Sequence, residues 1–403
     1  QTPTTEGNPG RISKYGYSEG VLTSYTNPDG DTILFAYADG LLASIQKPDN
    51  SQVTIEYGLQ LCDGISLVTS TTDEEGNIER FEYPEPGRHT THINQSGVRT
   101  DFYFDDQKRT IREERADGTV ISTLWRSIGD TPEQRVYSTR FASFTERYDD
   151  YGDIIFRSYP DGSGETWERN EQGSITRYLD RDGIETSYAY DERGNMITES
   201  RQGKIIRELQ WNETGNPIQI REHGLGDTEL SWNKAGLPAS RVVHPVRGDT
   251  DKTTARESWS WDGEGRITMQ TDACGMTTRY VYGVHTISTV YPSGLRVTEE
   301  TDKRGDCVRI TEKDDKTGKE RVTEIEYDKR HLPIRTRYPD GATETSTYRA
   351  DGKPLSRSMY NKTLLYRYRV DGTLEQTELH IGDKLYSATT YESCSQGTKI
   401  SLY

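Results

Sequence analysis

The feature that most constrains this chain is a glycine that returns at one interval, with an aromatic residue four positions before it. Gly152, Gly173, Gly194, Gly215 and Gly236 are each 21 residues apart. Tyr148, Tyr190, Trp211 and Trp232 precede four of them, and Arg169 holds that place before Gly173. The segments YDDYGDI, RNEQGSI, YDERGNM, WNETGNP and WNKAGLP are one short unit written five times. A period near 20 residues is the mark of stacked units, none of which can bury its apolar face alone.

The unit continues on both sides of this block. It recurs as WDGEGRI at Gly265, TDKRGDC at Gly305, YRADGKP at Gly352 and YRVDGTL at Gly372. In YDKRHLP, headed by Tyr327 and Asp328, His331 replaces the glycine; Tyr348 heads the copy that ends in Gly352. Shorter copies pair Tyr17 with Gly20 and Tyr37 with Gly40, and TDEEGNI surrounds Gly76. Residues 1–403 read as a single repeat region, clearest over 148–240 and 323–375 and degenerate over 85–144. A second motif falls between copies, as Pro28-Asp29-Gly30, Pro160-Asp161-Gly162, Pro292-Ser293-Gly294 and Pro339-Asp340-Gly341. Each period therefore holds two turn signals.

The chemistry of the turns is legible. Asp191 suits the first position of a type I turn, where its carboxylate accepts from backbone N–H groups. Gly194 suits the left-handed position that closes a three-residue hairpin with a bulge. Histidine is among the residues that tolerate this conformation, which accommodates His331. Between turns lie segments of about seven residues with period-2 alternation, such as Thr186 to Tyr190, and these read as strands. No window carries a capped 3.6-residue apolar stripe, so little helix is expected. The expected fold is all-β: hairpins in a long antiparallel sheet of roughly 30–40 strands. At about 4.8 Å per strand, 40 strands extend about 190 Å. Open twisted sheets of such length curl. Closed into one ring, the ribbon would be about 60 Å across.

Composition favours a thin wall over a solid body. Hydrophobic residues are 31% of the chain even with tyrosine included, and mean hydropathy is −0.91. Counted without tyrosine and with glycine the fraction is roughly a third, against about 45–50% in ordinary domains. Disordered chains are poor in aromatic residues, whereas this chain has 10%. Tyrosine suits a sheet wetted on both faces, because its ring packs while its hydroxyl reaches water. The net charge of −16 with scattered Lys and Arg argues against nucleic acid. No apolar run is long enough to span a membrane. Cys62, Cys274, Cys307 and Cys394 are isolated, which suits neither a metal site nor a disulfide framework.

Tyr-Asp-x-x-Gly-x-Ile/Leu at a period of 20–21 residues, with Pro-Asp-Gly turns between, resembles the YD repeat of Rhs proteins. Related chains include bacterial wall-associated proteins, the B and C components of insecticidal toxin complexes, and the teneurins. The resemblance implies a sheet that spirals into a hollow shell, or cocoon. It implies a cargo, a toxin or effector domain of the same parent polypeptide, and delivery by type VI or other secretion machinery or display at the cell surface. No Asp-Pro-x-Gly-rich core matches the family's self-cleaving element, so no cleavage residue carries over. The chain is expected to be a shell segment or a stand-alone repeat module.

Searches for catalytic chemistry return nothing specific. There is no H-E-x-x-H, G-x-S-x-G or P-loop. His89 and His92 lack a third ligand, and Asp149, Asp150 and Asp153 lack the spacing of a calcium loop. No enzymatic activity and no cofactor are expected. The residues singled out are those of the repeat corners: Tyr148, Gly152, Tyr190, Asp191, Gly194, Trp211, Gly215, Trp232, Gly236, Tyr327, Asp328, Tyr348 and Gly352. The principal expectation is a structural module that encloses a toxin domain. The alternative is a surface-exposed module binding glycan or protein through Tyr/Trp-rich strands, with Trp211 and Trp232 among the stacking candidates.

Overall fold

The computed structural model describes residues 12–60, 64–128, 131–138, 143–245, 254–394 and 397–402. Among them the chain forms a single sheet of 36 antiparallel strands, from β1 (Lys14–Ser18) to β36 (Gly397–Leu402), and no helix. Each strand pairs with its neighbours in sequence, and strands touch no others. Among the described residues no second layer covers either face. The degenerate stretch 85–144 contributes strands to the same sheet, since period-2 patterning persists where the corner motif fades.

The corner joining β17 (Glu185–Tyr190) to β18 (Met196–Arg201) shows why the motif reads as it does. The Asp191 N–H donates to the Asn195 carbonyl at 2.9 Å, and the Gly194 N–H donates to the Asp191 carbonyl at 3.0 Å. Gly194 has φ +84°, the left-handed conformation that a side chain resists. Asp191 Oδ1 accepts the N–H groups of Arg193 at 2.9 Å and Asn195 at 2.8 Å. With the Asn195 side-chain amide on its other oxygen, these bonds hold the Asp191 carboxyl below the usual carboxylate range. The Pro-Asp-Gly corner has the same frame. Tyr159 closes with Ser163 at 2.9 Å, and Gly162 takes φ +83°.

The wall is thin. Its accessible surface is 25280 Å², whereas a solid protein of this mass exposes roughly 16,000 Å². Among the described residues, the buried hydrophobic side chains are Val136, Val242, Ala342 and Ala388. Stability therefore rests on ladder hydrogen bonds and cross-strand pairs rather than on a core. Among these pairs are repeated Arg–carboxylate contacts, such as Arg177 with Glu168 and Glu185 at 2.6 and 2.8 Å.

The sheet coils until it meets itself. The corner between β2 (Val21–Thr26) and β3 (Thr32–Ala38) meets the corner between β25 (Thr277–Gly283) and β26 (Thr286–Val290), where His285 Nε2 lies 3.4 Å from Asp31 Oδ2. The corners between β4 (Leu41–Gln46) and β5 (Gln52–Gln60) and between β27 (Leu295–Thr301) and β28 (Cys307–Asp314) meet likewise. Both pairs of corners are 23 strands apart in sequence order. At about 4.8 Å per strand, one winding is about 110 Å around and about 35 Å across. The ribbon thus takes the expected spiral form, its winding narrower than the roughly 60 Å that closure of all strands into one ring would give. Length and strand spacing bound the circumference from above, but where the ribbon closes depends on its twist and on its edge contacts.

Substituting Gly194→Val tests the corner. A Cβ at Gly194 would meet only Gln172 Oε1, at 3.6 Å, so the cost is conformational rather than steric. The expected loss is about 1–3 kcal/mol, read from the urea unfolding midpoint.

Candidate functional site

Two groups of residues shape the wall: the repeat corners, which set its local geometry, and a seam, where one winding meets the next. In the corners the aromatic residue carries a polar tip with a fixed destination. Tyr190 Oη donates to the Ile175 carbonyl at 2.6 Å, fifteen residues earlier. Trp211 Nε1 donates to Met196 and Trp232 Nε1 to Pro217, both at 2.7 Å and both fifteen residues back. Tyr348 Oη donates to Pro333 at 2.8 Å, and Tyr327 Oη to Cys307 at 3.1 Å. Where arginine takes the place, Arg169 does the same to Ile154 at 2.7 Å. Each acceptor lies two residues after the preceding corner's left-handed residue. A bulge stands there, as at Tyr190 opposite Met196 and Ala189 opposite Thr198. A bulge opens the ladder locally, and the incoming donor satisfies its carbonyl.

The other singled-out residues lie at the corners as follows. Gly152, Gly215, Gly236 and Gly352 have φ of +86°, +79°, +75° and +80°. Asp328 Oδ1 accepts from Arg330 and Leu332 as Asp191 does from its own corner. Tyr148 differs. Its hydroxyl lies 2.7 Å from Gln134 Oε1 and 2.6 Å from Glu146 Oε2, and burial together with that carboxylate raises its pKa. The indole N–H groups of Trp211 and Trp232 are committed to the backbone and both residues are half-buried. His89 stacks on Tyr103 and contacts Asp101, while His92 stacks on Phe81 and contacts Glu79, so the two do not converge. The Asp149 carboxylate serves its own turn by accepting from Tyr151 and Asp153. Among the described residues no group of three or more His, Cys, Asp or Glu could hold a metal ion. Cys274 is exposed and Cys307 half-buried, both as free thiols; Cys62 lies outside the described residues.

The seam was not visible in the sequence. Glu75 Oε1 accepts the Lys329 N–H at 2.8 Å, across 254 residues. Ser96 Oγ accepts from Arg349 Nε and the Asp351 N–H, both at 3.3 Å. Arg304 lies 3.4 Å from Asp49 across the seam and 2.8 Å from Asp306 on its own side. His331 sits at the centre with φ +68°, in the position glycine holds elsewhere. Its Nδ1 is 2.7 Å from Asp306 Oδ1, and its Nε2 is 2.9 Å from Lys47 Nζ, whose ammonium also pairs with Glu74. Lysine only donates, so Nε2 accepts and Nδ1–H donates to Asp306. The substitution that the turn merely tolerates thus ties one winding to the next. A cavity of about 270 Å³ remains between these corners, with Asp31, His285, Arg304 and His331 on its wall.

Two substitutions probe these contacts. Tyr190→Phe keeps the ring and removes the donor to Ile175, and is expected to cost about 1–3 kcal/mol by leaving that carbonyl unpaired. Asp306→Ala removes the acceptor shared by Arg304 and His331; Asp306 and Arg304 are largely buried, and the loss is expected to cost about 3 kcal/mol. Urea unfolding followed by circular dichroism measures both.

No known protein-family model matches the chain. A curated protein of Dickeya dadantii (strain 3937) named "Probable deoxyribonuclease RhsA" is 24% identical over 135 residues, covering 33% of this chain and 9% of that protein. The solved structure of TcdB2-TccC3-TEV superposes with a TM-score of 0.59 at 14% identity, over 94% of this chain and 25% of that one. TcdB2-TccC3 itself gives 0.58 at 13% identity over 97% and 26%. A structure of the Photorhabdus luminescens Tc holotoxin pore also gives 0.58 at 13% identity, over 97% and 25%. The chain therefore spans about a quarter of the solved chains it matches and a smaller share of the curated one. In its spiralling single sheet the chain shares the fold of these solved structures, and its sequence is similar to part of the Rhs-named protein.

Proposed function

We propose that this chain is a wall segment of a hollow Rhs-type shell that encloses a toxin or effector domain of the same parent polypeptide. The observation that carries the reading is the bare, self-meeting sheet. Strands touch only their sequence neighbours, and the winding closes on itself through its corners. A solid domain would fill the space inside a winding about 35 Å across with its own side chains; among the described residues no strand packs across it. The likeness to TcdB2-TccC3 supports the same reading.

The mechanism is steric and electrostatic. A wall hydrogen-bonded through every strand separates cargo from surroundings without covalent chemistry. Faces of Arg–carboxylate pairs and tyrosine give an unfolded cargo little contiguous apolar surface to adhere to. Such a shell serves a secreted or surface-displayed assembly, with secretion-apparatus components as transient partners. No helix among the described residues is long and apolar enough to cross a membrane.

The test is protease protection within the parent polypeptide. The cargo segment is expected to be cleaved at least tenfold more slowly in the intact protein than as an isolated domain. Asp306→Ala, which loosens the seam, is expected to restore part of the cleavage. Equal cleavage rates for enclosed and isolated cargo would sink the reading.

A further inference from the structure

Across this sheet an arginine usually sits among carboxylates. Arg207 lies 3.2 Å from Glu199 and 2.8 Å from Glu222. Arg221 lies 3.5 Å from Glu208 and 3.3 Å from Asp227. That pattern suits a chain with 66 acidic and 50 basic residues. It inverts most strongly, among the described residues, at one carboxylate. β11 (Val120–Ile128), β12 (Thr131–Ser138) and β13 (Phe144–Tyr148) bring three arginines around a single carboxylate, Glu133.

Glu133 stands directly across from Arg126 on one side and Arg147 on the other, with Arg135 two residues along its own strand. All four therefore share one face. The three Nε–H groups donate to its oxygens at 2.5, 2.9 and 3.0 Å. The carboxylate is fully buried, while the Arg126, Arg135 and Arg147 side chains stay 39%, 36% and 43% exposed. Burial alone would push the Glu133 carboxyl up; the three guanidinium bonds outweigh it and hold its pKa down at about 2. The four groups thus carry an excess of two positive charges near neutral pH, on a chain whose net charge is −16. Among the described residues no second carboxylate pairs with any of the three arginines. The Arg147 guanidinium also rests over the Phe156 ring, 5.1 Å from its centre. Leu124, directly across from Arg135, is 51% exposed, and Tyr137 on the same face is 48% exposed.

We propose that this face binds a phosphate-type oxyanion. Glu133 acts as the internal counter-ion that holds three guanidinium groups side by side through their Nε atoms. Arg126 also turns a terminal nitrogen onto Glu133 and Arg135 bonds Tyr137; the remaining terminal N–H groups, those of Arg147 foremost, face outward as donors of the kind that match phosphate oxygens. Leu124 forms an apolar flank beside the anion, and the Tyr137 side chain, which bonds Arg135, stands next to it. The inference is independent of what the shell encloses.

Calorimetric titration of the chain with inorganic phosphate at low ionic strength tests it. Saturable binding to one site is expected, weakening as salt is added. Arg135→Gln is expected to weaken it at least tenfold while Arg126 and Arg147 keep Glu133 paired. Leu124→Glu, at an exposed position opposite Arg135, supplies a competing carboxylate and is expected to abolish binding even if the first variant folds poorly. Arg335→Gln, which alters a contact with Glu326 at 3.1 Å where only Arg337 joins it, is expected to leave binding unchanged. Phenyl phosphate distinguishes the source: tighter binding than phosphate assigns the site to an organic phosphate, and equal binding to the free ion. No saturable binding, or equal losses in Arg135→Gln and Arg335→Gln, overturns the proposal.

Discussion

Most hairpins of this protein are tied to the one before by the polar tip of one large side chain. A two-stranded hairpin alone is marginal in water, and a wall one sheet thick offers no core to compensate. The bulge beside each corner opens the ladder, and the donor arriving from fifteen residues later fills the gap. That contact makes the period a structural unit rather than a coincidence of spacing. It also explains which residues interchange there. Tyrosine, tryptophan and Arg169 share a flat body and an N–H or O–H at its end. Phenylalanine has the body without the donor.

A ribbon built this way must find something to do with its edges and its faces. The faces are covered by cross-strand pairs in which charge alternates, so both can meet water. The edges are rows of corners, and the seam sets one row of the first winding against the opposite row of the second. Individually its contacts are modest, since partly exposed ion pairs contribute little. Those around Asp306 and Arg304 are better buried and resist removal more strongly. Closing a loop of some 254 residues costs little more than closing one half as long, because the entropy grows with the logarithm of length. A seam of small contacts can therefore hold a large winding.

The departures from the repeat are where the structure adds most. His331 abandons glycine at a position that favours it, and spends the side chain on Lys47 and Asp306. Around Glu133 the usual ratio of arginine to carboxylate reverses, in the stretch where the corner motif is weakest. Tyr148, at the border of that stretch, bonds side chains instead of a preceding corner's carbonyl.

Much of the fold was legible because its determinants are local. Asp191 and Gly194 specify a corner within five residues, alternation specifies the strands, and the low apolar content specifies a thin wall. The chain by itself thus determined the hairpin, the single sheet and the need to coil. It did not show where the tyrosine and indole tips go, because fifteen residues of spacing acquire meaning only once a bulge exposes a carbonyl. Nor did it show that 23 strands make a winding, or that Lys47 would meet His331 and three arginines would meet Glu133. Those outcomes depend on accumulated twist and on register across strands, and small angular increments summed over many strands are set by the whole sheet rather than by any one repeat.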